Sequence, residues 1–571
     1  MSKRRREDEP KPPMSALAAR RLRSLAASAQ HAELKEVEKA GEAPELSSEE
    51  ICRRREEIEM GLKKGSGGGG KRVVLSHVQI SSGRGGEAVP TSPAEATPAA
   101  EGQGDAEIDT DTEVYKETRM SNFTPTSENY IPAQDGSCIV RMTLVILGEY
   151  ELCVRKGTIT ISGAKLTREF GHCQVFAPTT HALPEIACVK VKGKREGSGA
   201  EILVTQTESG VRNLGRTCPV ANGIWEPSRD GGGRSFHPLM SKKLFTTSTP
   251  LPVLIIPKMW EEILGGIKKT AGTENAAPPV ILLSGGKSVG KSTLSRILTN
   301  QLLTAKTYPG IYYLDVDPGQ PSFTPPGFLS LHALKRPILG PPFTSPLLPK
   351  NLITAHHTGY TTPREDPSAY IRAILALLSD YRSAALTNPG PLLINSAGWV
   401  KSLGLELLQE IIQASCTTDI IYITPALGHS IPITDVLPPT NPPRMHVLES
   451  SAASENTRFT AADLRMLQTS SFMHYCPDTL RWVVKPLAEV PPWRLPYAGG
   501  HPAIDGVSIL HEEDLSPTEL LTAIDGTLVA IVEVDDEESI SETAERQMPL
   551  LRPGGAGEGN AQPPPQSVFI V

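Results

Sequence analysis

A loop of small residues with two lysines, GGKSVGKST at residues 285–293, is the first place in this sequence where side chains could do chemistry. Gly285, Gly290, Lys291 and Ser292 fit the spacing G-x-x-x-x-G-K-[ST], whose glycines let backbone N–H groups close around phosphate oxygens. In this motif the lysine reaches the β- and γ-phosphates, and the hydroxyl ligates Mg²⁺. The pattern predicts a nucleoside triphosphate site formed by Gly285, Gly286, Lys287, Ser288, Val289, Gly290, Lys291, Ser292 and Thr293. Lys287 adds a further positive charge inside the loop or, alternatively, is an ordinary solvated lysine.

A pair of aspartates, Asp315 and Asp317 in YYLDVDPGQPSFTPPG, is the second group with chemical potential. They stand two residues apart on a predicted strand, so we expect both carboxylates on the same face. Open α/β sheets bind ligands beyond the carboxyl ends of their strands, where the phosphate loop also lies. Two acids there could divide between organising Mg²⁺ and removing a proton from an attacking hydroxyl. The alternative is a pair of solvated turn aspartates before a proline.

The surroundings of these acids narrow the class of triphosphate enzyme. A GTPase would carry an N-K-x-D segment, and the sequence has none. A motor ATPase would usually place a glutamate directly after its aspartate, whereas Val316 follows Asp315 and Pro318 follows Asp317. Phosphate transfer to an acceptor is therefore favoured over hydrolysis.

Alternating strands and helices must position these residues. Val280–Leu283 is a short apolar run before the phosphate loop, and apolar residues at helical spacing follow the loop. Further along come the strand IYYLDVD, a helix from Asp366 to about Ala384, and the strand PLLIN. A helix near Leu403–Ile412 and the strand IIYIT follow. This alternation predicts an α/β fold, a P-loop kinase domain at 251–440 with a parallel sheet flanked by helices.

Three other regions flank this domain. Residues 1–120 are polar and poor in aromatic residues, which predicts a disordered tail. Residues 125–245 contain short β-branched runs separated by glycines, which predicts a β-sandwich-like N-terminal domain. Residues 441–571 are mixed and interrupted by prolines, which indicates a small C-terminal domain with a flexible tail. The opening KRRRE at Lys3–Glu7 is typical of a nuclear-import patch or, alternatively, of an ordinary charge run.

Composition limits the setting of the chain. The 571 residues carry a net charge of −7, so no whole-chain basic field points to nucleic acid. The eight cysteines form no C-x-x-C pair, and the sequence opens with no signal peptide, which favours a reducing compartment and no zinc site. No apolar stretch approaches the roughly 18 residues of a membrane span. We therefore expect a soluble, intracellular protein without a membrane partner.

A resemblance to the polynucleotide 5′-hydroxyl-kinase family is carried by four segments, in the order GGKSVGKST, DVDPGQPSFTPPG, HHTGYTTPREDPSAY and LLINSAGWVKSLGLELL. It covers about residues 130–480. The long polar head and the segment TRFTAADLRMLQTSSF make the chain most similar to the nucleolar member that processes pre-rRNA.

The resemblance implies a role for each residue around the transferred phosphate. Lys291 and Ser292 would hold ATP and Mg²⁺, and Asp315 would organise the metal or its waters. Asp317 would activate the 5′-hydroxyl of RNA, and Gln320 would help to set that geometry.

The resemblance also implies residues on the acceptor side, each with an alternative interpretation. Thr361 and Thr362 would lie near the acceptor, or would form only a turn before Pro363. Gly398 and Trp399, in the segment SAGW, would form a clasp over the RNA end, and Trp399 could stack on a base or be a core tryptophan. The arginines that would close on the transferring phosphate, unless they are only solvated helix residues, are Arg458 and Arg465.

The family therefore implies an ATP-dependent enzyme that phosphorylates the 5′-hydroxyl end of RNA, with function in pre-rRNA internal spacer processing in the nucleolus. It also implies a HEPN-type endoribonuclease as the partner that makes this RNA end. Two alternatives stay open on the sequence: an ATP-binding scaffold subunit with little or no turnover, and a hydrolysing assembly ATPase.

Overall fold

A computed structural model describes the fold of this chain over a defined set of residues. They are 72–78, 126, 130–132, 138–140, 144–189, 200–225, 234–239, 253–272, 277–345, 351–425, 431–451, 459–490, 495, 504, 506–509, 524–525, 527–534, 550–551 and 566–570. All of them fall within Lys71–Val571. The predicted nuclear-import patch lies outside the described residues.

The strands in chain order are β1 (Arg72–Val78), β2 (Tyr130–Pro132), β3 (Cys138–Val140), β4 (Leu144–Lys156), β5 (Ile159–Ile161), β6 (Ala164–Leu166), β7 (His172–Ala177), β8 (Glu185–Cys188), β9 (Glu201–Gln206), β10 (Phe236–Leu239), β11 (Val280–Gly285), β12 (Ile311–Val316), β13 (Phe328–Leu334), β14 (Leu352–His357), β15 (Leu392–Ser396), β16 (Asp419–Thr424), β17 (Arg444–Glu449), β18 (Tyr475–Cys476), β19 (Arg481–Trp482), β20 (Gly506–Ile509), β21 (Leu528–Val534), β22 (Leu550–Leu551) and β23 (Gln566–Ile570). The α-helices are α1 (Lys258–Ala271), α2 (Lys291–Ala305), α3 (Pro367–Thr387), α4 (Leu403–Ser415) and α5 (Ala461–His474). Single 3₁₀ turns lie at Arg168–Phe170, Val211–Arg216, Pro219–Ala221, Pro342–Thr344, Pro432–Val436 and Leu487–Glu489.

The predicted parallel sheet is confirmed. Five strands run parallel in the order β17, β16, β11, β15 and β12. Two further strands, β13 and β14, continue the sheet in antiparallel fashion from β12, which the sequence had not indicated. The phosphate loop lies at the end of β11 and the acid pair at the end of β12, and β15 lies between these two strands. The sheet thus brings the two predicted motifs to the same edge.

Each parallel strand is covered by helices on both faces, which explains its continuous apolar sequence. Ile281 and Leu283 pack in the core layer that contains Leu294 of α2, whereas Leu282 packs in the layer that contains Ile374 of α3. Residues two apart on a strand share a face, so α1 and α2 cover one side of the sheet and α3 and α4 the other. The α/β fold predicted for this region is therefore present.

The start of α3 follows from its sequence. The Asp366 side chain accepts a hydrogen bond from the Ala369 N–H at 2.8 Å, and Pro367 occupies the first helical position. The helix ends at Thr387, three residues beyond the predicted Ala384.

The N-terminal β-rich region that the sequence predicted consists of nine strands joined in one hydrogen-bonded network. Its long strand β4 pairs with β8 and β10 through its first half and with β7 and β9 through its second half. Gly148, with φ 117°, lies between the two halves. The region packs on α2, where Asn300 Nδ2 donates to the Ser162 carbonyl at 2.9 Å. The helix behind the phosphate loop is thereby fixed from outside the P-loop domain.

The distal strands join the same large sheet. Beyond β14 the order continues β23, β21, β1, β20 and β22. Strand β1 lies within residues 1–120, which were expected to be a disordered tail, and it pairs with β20 and β21. Strand β17 lies beyond residue 440, the expected end of the P-loop domain, yet it is part of the parallel sheet. Among the described residues, no helix is both long and apolar enough to cross a membrane.

Candidate functional site

The phosphate loop has the strand–turn–helix form that its sequence predicted. Strand β11 ends at Gly285, whose φ is 143° and whose Cα faces the Ile423 carbonyl so closely that a Cβ would overlap it. Ser288 and Gly290 also have positive φ, at 61° and 102°, and α2 begins at Lys291. A glycine-rich loop with positive φ values before a helix N-terminus is a backbone form that suits phosphate binding.

Lys291 lies inside this loop. Its side chain is 7% exposed, and Nζ donates to the carbonyl oxygens of Gly285 at 2.9 Å and Gly286 at 2.7 Å. Burial lowers the pKa of the ammonium to about 8, and the negative charge of Asp317 opposes that shift. The carbonyl oxygens therefore hold the charge of this lysine within the phosphate loop.

Asp315 is fully buried at the end of β12. Its Oδ2 accepts from the Ser322 N–H at 2.6 Å, and its Oδ1 accepts from Asn395 Nδ2 at 3.0 Å. Burial raises the pKa of this carboxyl to about 7, and the hydrogen bond from Ser322 opposes the rise. Both oxygens are thus engaged by protein groups, which fits an organising role more closely than direct attack.

Asp317 lies at the mouth of the site and is half-buried. Its Oδ1 accepts from the N–H groups of Gly319 at 3.0 Å and Gln320 at 3.2 Å. Within the described chain, its Oδ2 accepts no hydrogen bond. Burial raises the pKa of Asp317, and the charges of Lys291 and Lys287 lower it in opposition. The backbone therefore fixes one oxygen of the carboxylate, and with it the orientation of the group.

The loop with Thr361 and Thr362 lies against the acid loop. A Cβ added at Gly319 would come within 2.8 Å of the Thr361 carbonyl oxygen, so only glycine allows this approach. The Thr361 side chain is exposed, whereas Thr362 is half-buried and accepts from the Arg364 N–H at 3.4 Å. The Gln320 side chain is exposed beside them. The structure thus brings both threonines and Gln320 to the Asp317 edge of the site.

The SAGW segment lies against the phosphate loop. A Cβ added at Gly398 would come within 3.1 Å of the Lys287 Cα. Trp399 is half-buried and belongs to none of the core clusters of the described residues. A Cβ added at Gly404 would come within 2.6 Å of the Trp399 Cβ, so the start of α4 holds its backbone in place.

Of the two predicted lid arginines, Arg465 lies on α5 and is half-buried, and Arg458 lies outside the described residues. Three residues after Arg465, the buried Gln468 donates through Nε2 to the Thr324 carbonyl at 3.0 Å. Residues three apart lie on one side of a helix, so Arg465 shares the side of α5 that meets the acid loop.

Sequence reasoning missed four polar residues behind the acid pair, namely Ser295, Tyr313, Ser322 and Asn395. All four hydrogen-bond around Asp315 or to one another. Their signal in the sequence was weak, because each stands alone in an apolar or loop segment. Only their position next to the predicted motifs could have indicated them.

The oxygen donors of the site fit Mg²⁺. Ser292 is half-buried at the N-terminus of α2, and Asp317 follows β12 at the same edge of the sheet. Asn395 Oδ1 is buried with no hydrogen-bond partner among the described residues, and Asp315 lies beside it. Magnesium prefers such hard oxygen ligands and retains several waters, which outer acids and amides can orient. The residues present therefore suit the predicted metal.

A family comparison agrees with this geometry. Residues 285–474 match the family model described as mRNA cleavage and polyadenylation factor CLP1 P-loop. These residues are therefore similar to the P-loop domain of that family. The match begins at the first glycine of the phosphate loop and ends with the last residue of α5, so it includes every site residue described above.

The chain is also similar to proteins named polynucleotide 5′-hydroxyl-kinase grc3, the family that its motifs resemble. It is 32% identical to the protein of Aspergillus oryzae over 435 residues, which cover 70% of this chain and 50% of that protein. It is 32% identical to the Aspergillus clavatus protein over 460 residues, which cover 74% of this chain and 52% of that protein. The chain spans about half the length of these relatives. A solved complex of Clp1p with Pcf11p aligns at a TM-score of 0.40 and 15% identity, over 62% of this chain and 76% of that one.

Proposed function

We propose that this protein is a polynucleotide 5′-hydroxyl-kinase that transfers the γ-phosphate of ATP to the 5′-hydroxyl end of RNA. The observation that carries the proposal is the position of Asp317. Asp317 follows β12 at the edge of the sheet that also bears Lys291, and the charges of the two residues interact. A phosphate-binding loop beside a carboxylate is the minimum that transfer to a hydroxyl requires.

ATP binds in this proposal through the backbone of the phosphate loop and through Lys291 and Ser292. The N-terminus of α2 adds its positive dipole end to the lysine charge. Ser292 would hold Mg²⁺ and Asp315 would orient its water shell, and the ion would supply charge neutralisation to the phosphates.

Asp317 is the base in this proposal. Its Oδ1 is anchored by two backbone N–H groups, so Oδ2 has a defined direction toward an incoming hydroxyl. Its raised pKa brings proton acceptance nearer to neutral pH, where a general base is most effective. Gln320 extends the same turn, and its exposed side chain suits a contact with the RNA end.

Two loops that border the site hold the RNA end in this proposal. Thr361 and Thr362 border the acid loop, and Gly398 and Trp399 border the phosphate loop. A partly exposed tryptophan can stack on any base, a contact of about 1 to 3 kcal/mol, which suits recognition of an end rather than a sequence. Arg465, and Arg458 before it, would add positive charge over the transferring phosphate.

The cellular setting that we propose is pre-rRNA internal spacer processing in the nucleolus, within ribosome biogenesis. The substrate requires a cleavage that leaves a 5′-hydroxyl, and the family resemblance implies a HEPN-type endoribonuclease as the partner that makes it. The basic residues at Lys3–Glu7 support nuclear import. Removal of these residues in a fluorescently tagged chain should move it from the nucleolus to the cytoplasm, and unchanged nucleolar signal would remove that role from the segment.

The proposal is tested with γ-labelled ATP and an RNA oligonucleotide that bears a 5′-hydroxyl, in separate reactions with and without the nuclease. We expect label on the RNA in at least one reaction, and none on a matched RNA whose 5′ end is already phosphorylated. ATP binding without labelled RNA in either reaction would support the scaffold alternative instead. Release of phosphate that is independent of RNA would support a hydrolysing ATPase.

A further inference from the structure

A chain of buried hydroxyl groups runs from α2 to the acid loop through Tyr313. The Tyr313 side chain is 1% exposed, and its Oη lies 2.9 Å from Ser295 Oγ and 2.9 Å from Ser322 Oγ. Ser295 is on α2, one turn after Ser292, and Ser322 is in the loop after Asp317. Tyr313 is therefore the midpoint of a connection between the two motifs of the site.

The direction of each hydrogen bond in this chain follows from the Ser292 carbonyl at one end. Ser295 Oγ also lies 3.0 Å from the Ser292 carbonyl, which can only accept, so the single hydroxyl proton of Ser295 is donated there. Ser295 must then accept from Tyr313, and Tyr313 must accept from Ser322. The chain is consistent throughout, with each hydroxyl donating once.

At its far end the connection reaches the carboxylate. The Ser322 N–H donates to Asp315 Oδ2 at 2.6 Å, and Asn395 Nδ2 donates to Asp315 Oδ1 at 3.0 Å. The path therefore begins at the backbone of Ser292, whose hydroxyl is the proposed metal ligand, and it ends at the buried acid. Every hydroxyl along this path is satisfied, and such networks fix geometry because no member can move without losing a bond.

We propose that Tyr313 is a positioning residue that sets the separation between Ser292 and the acid loop. This inference rests on the proposed function for its effect on phosphate transfer, but its effect on magnesium-dependent ATP binding does not need transfer. Tyr313 touches neither substrate nor metal in this account. It acts through Ser295 on the start of α2 and through Ser322 on Asp315.

Tyr313→Phe in the full chain tests the proposal, with Tyr312→Phe as the matched control. The neighbouring Tyr312 is also buried, and its Oη donates one hydrogen bond, to the Asn388 carbonyl at 2.9 Å on the opposite face of the sheet. Both variants keep the ring and lose one hydroxyl. In Tyr313→Phe the ring also keeps its edge contact with Phe323, whose ring centre lies 5.2 Å away.

Two readouts are measured at a fixed temperature at which both variants are folded. In Tyr313→Phe we expect the Mg²⁺ concentration for half-maximal ATP binding to rise, and kcat to fall, by about ten-fold each, with the KM for RNA unchanged. In Tyr312→Phe we expect neither change. Ser295→Ala should reproduce the effect, and the double variant with Tyr313→Phe should be no worse than either single variant, because both break one path.

Equal magnesium dependence and equal kcat in Tyr313→Phe and Tyr312→Phe would overturn the proposal. So would additive losses in the double variant, which would mean that Ser295 and Tyr313 act separately. Unaltered magnesium-dependent ATP binding in Tyr313→Phe would also reject the connection, even in a chain that transfers no phosphate. If the wild-type chain labels no RNA but Tyr313→Phe still weakens magnesium-dependent binding, the kinase assignment fails and the connection stands.

Discussion

Replacement of Asp317 by asparagine removes the proposed base and keeps the hydrogen bonds that hold its turn in place. The amide oxygen of Asn can still accept the N–H groups of Gly319 and Gln320, so the turn keeps both of its hydrogen bonds. The amide NH₂ group, which replaces Oδ2, cannot accept a proton from the RNA hydroxyl. Because negative charge is removed beside the phosphate-binding surface, ATP affinity should be unchanged or slightly stronger.

The size of the loss follows from the role. A positioned general base contributes about 10² to 10⁴ in rate, which is about 3 to 5 kcal/mol of transition-state free energy. Asp317→Asn should therefore lower kcat by at least about 100-fold. Asp315→Asn is the contrasting variant, because an amide there turns an NH₂ toward Ser322 N–H or Asn395 Nδ2 and leaves a buried donor unpaired. That variant should lose about 1 to 3 kcal/mol of unfolding free energy, whereas Asp317→Asn should lose little.

Single-turnover transfer, ATP affinity and the melting temperature are measured for both variants. The pH profile adds an independent check. Burial raises the pKa of Asp317, so the wild-type transfer rate should decrease as the pH is lowered, with a midpoint above the ordinary pKa of an aspartate. Asp317→Asn should show no such decrease. If ATP affinity collapses in Asp317→Asn while single-turnover transfer survives, Asp317 is a metal organiser and Asp315 becomes the better base.

Three further predictions concern other parts of the molecule. Lys291→Ala should abolish RNA labelling, because the lysine stabilises the negative charge on the transferring phosphoryl group in the transition state, and it should leave the β-rich region folded. A wild-type transfer rate in that variant would show that Lys291 is not part of the site. Trp399→Ala should raise the KM for RNA with ATP affinity and melting temperature near wild type, whereas a fall of about 3 to 5 kcal/mol in stability with unchanged kinetics would mark a core residue. Asp419 is buried, which raises its pKa, but hydrogen bonds from His446, Arg444 and Thr418 outweigh burial and lower the pKa to about 2. The stability from this depressed pKa is present above about pH 4 and lost as pH falls toward 2, so Asp419→Asn should cost about 2 kcal/mol at neutral pH and flatten acid unfolding monitored by circular dichroism.

Local signals in the sequence were sufficient for the elements that carry the site. The phosphate loop has its own spacing, and α3 has Asp366 and Pro367 at its start, so the strand–turn–helix unit and the helix could be predicted. The parallel orientation of the strands also followed from the alternation of strands and helices. Because the carboxyl ends of those strands meet at one edge, the proximity of the two motifs needed no further information.

Contacts without a local signal could not be predicted. Strand β13 is an apolar run buried on both faces, and such a run does not show whether it pairs parallel or antiparallel. Strand β1 pairs with residues far along the chain, as Val74 with Gly506, and only tertiary structure brings them together. In the same way Tyr312 and Tyr313 look equivalent in IYYL, yet the pleat places one toward α3 and the other toward Ser295 of α2.

The central claim is that this site moves phosphate to an RNA end, and the location of the label tests it most directly. Wild-type chain and Asp317→Asn are incubated with γ-labelled ATP, Mg²⁺ and a 5′-hydroxyl RNA, with and without the endoribonuclease, and the RNA is then digested to nucleotides. The account predicts label only on the 5′-terminal nucleotide with wild-type chain, and none above background with Asp317→Asn. Label that appears only as free phosphate, or equal terminal labelling by both proteins, would contradict it.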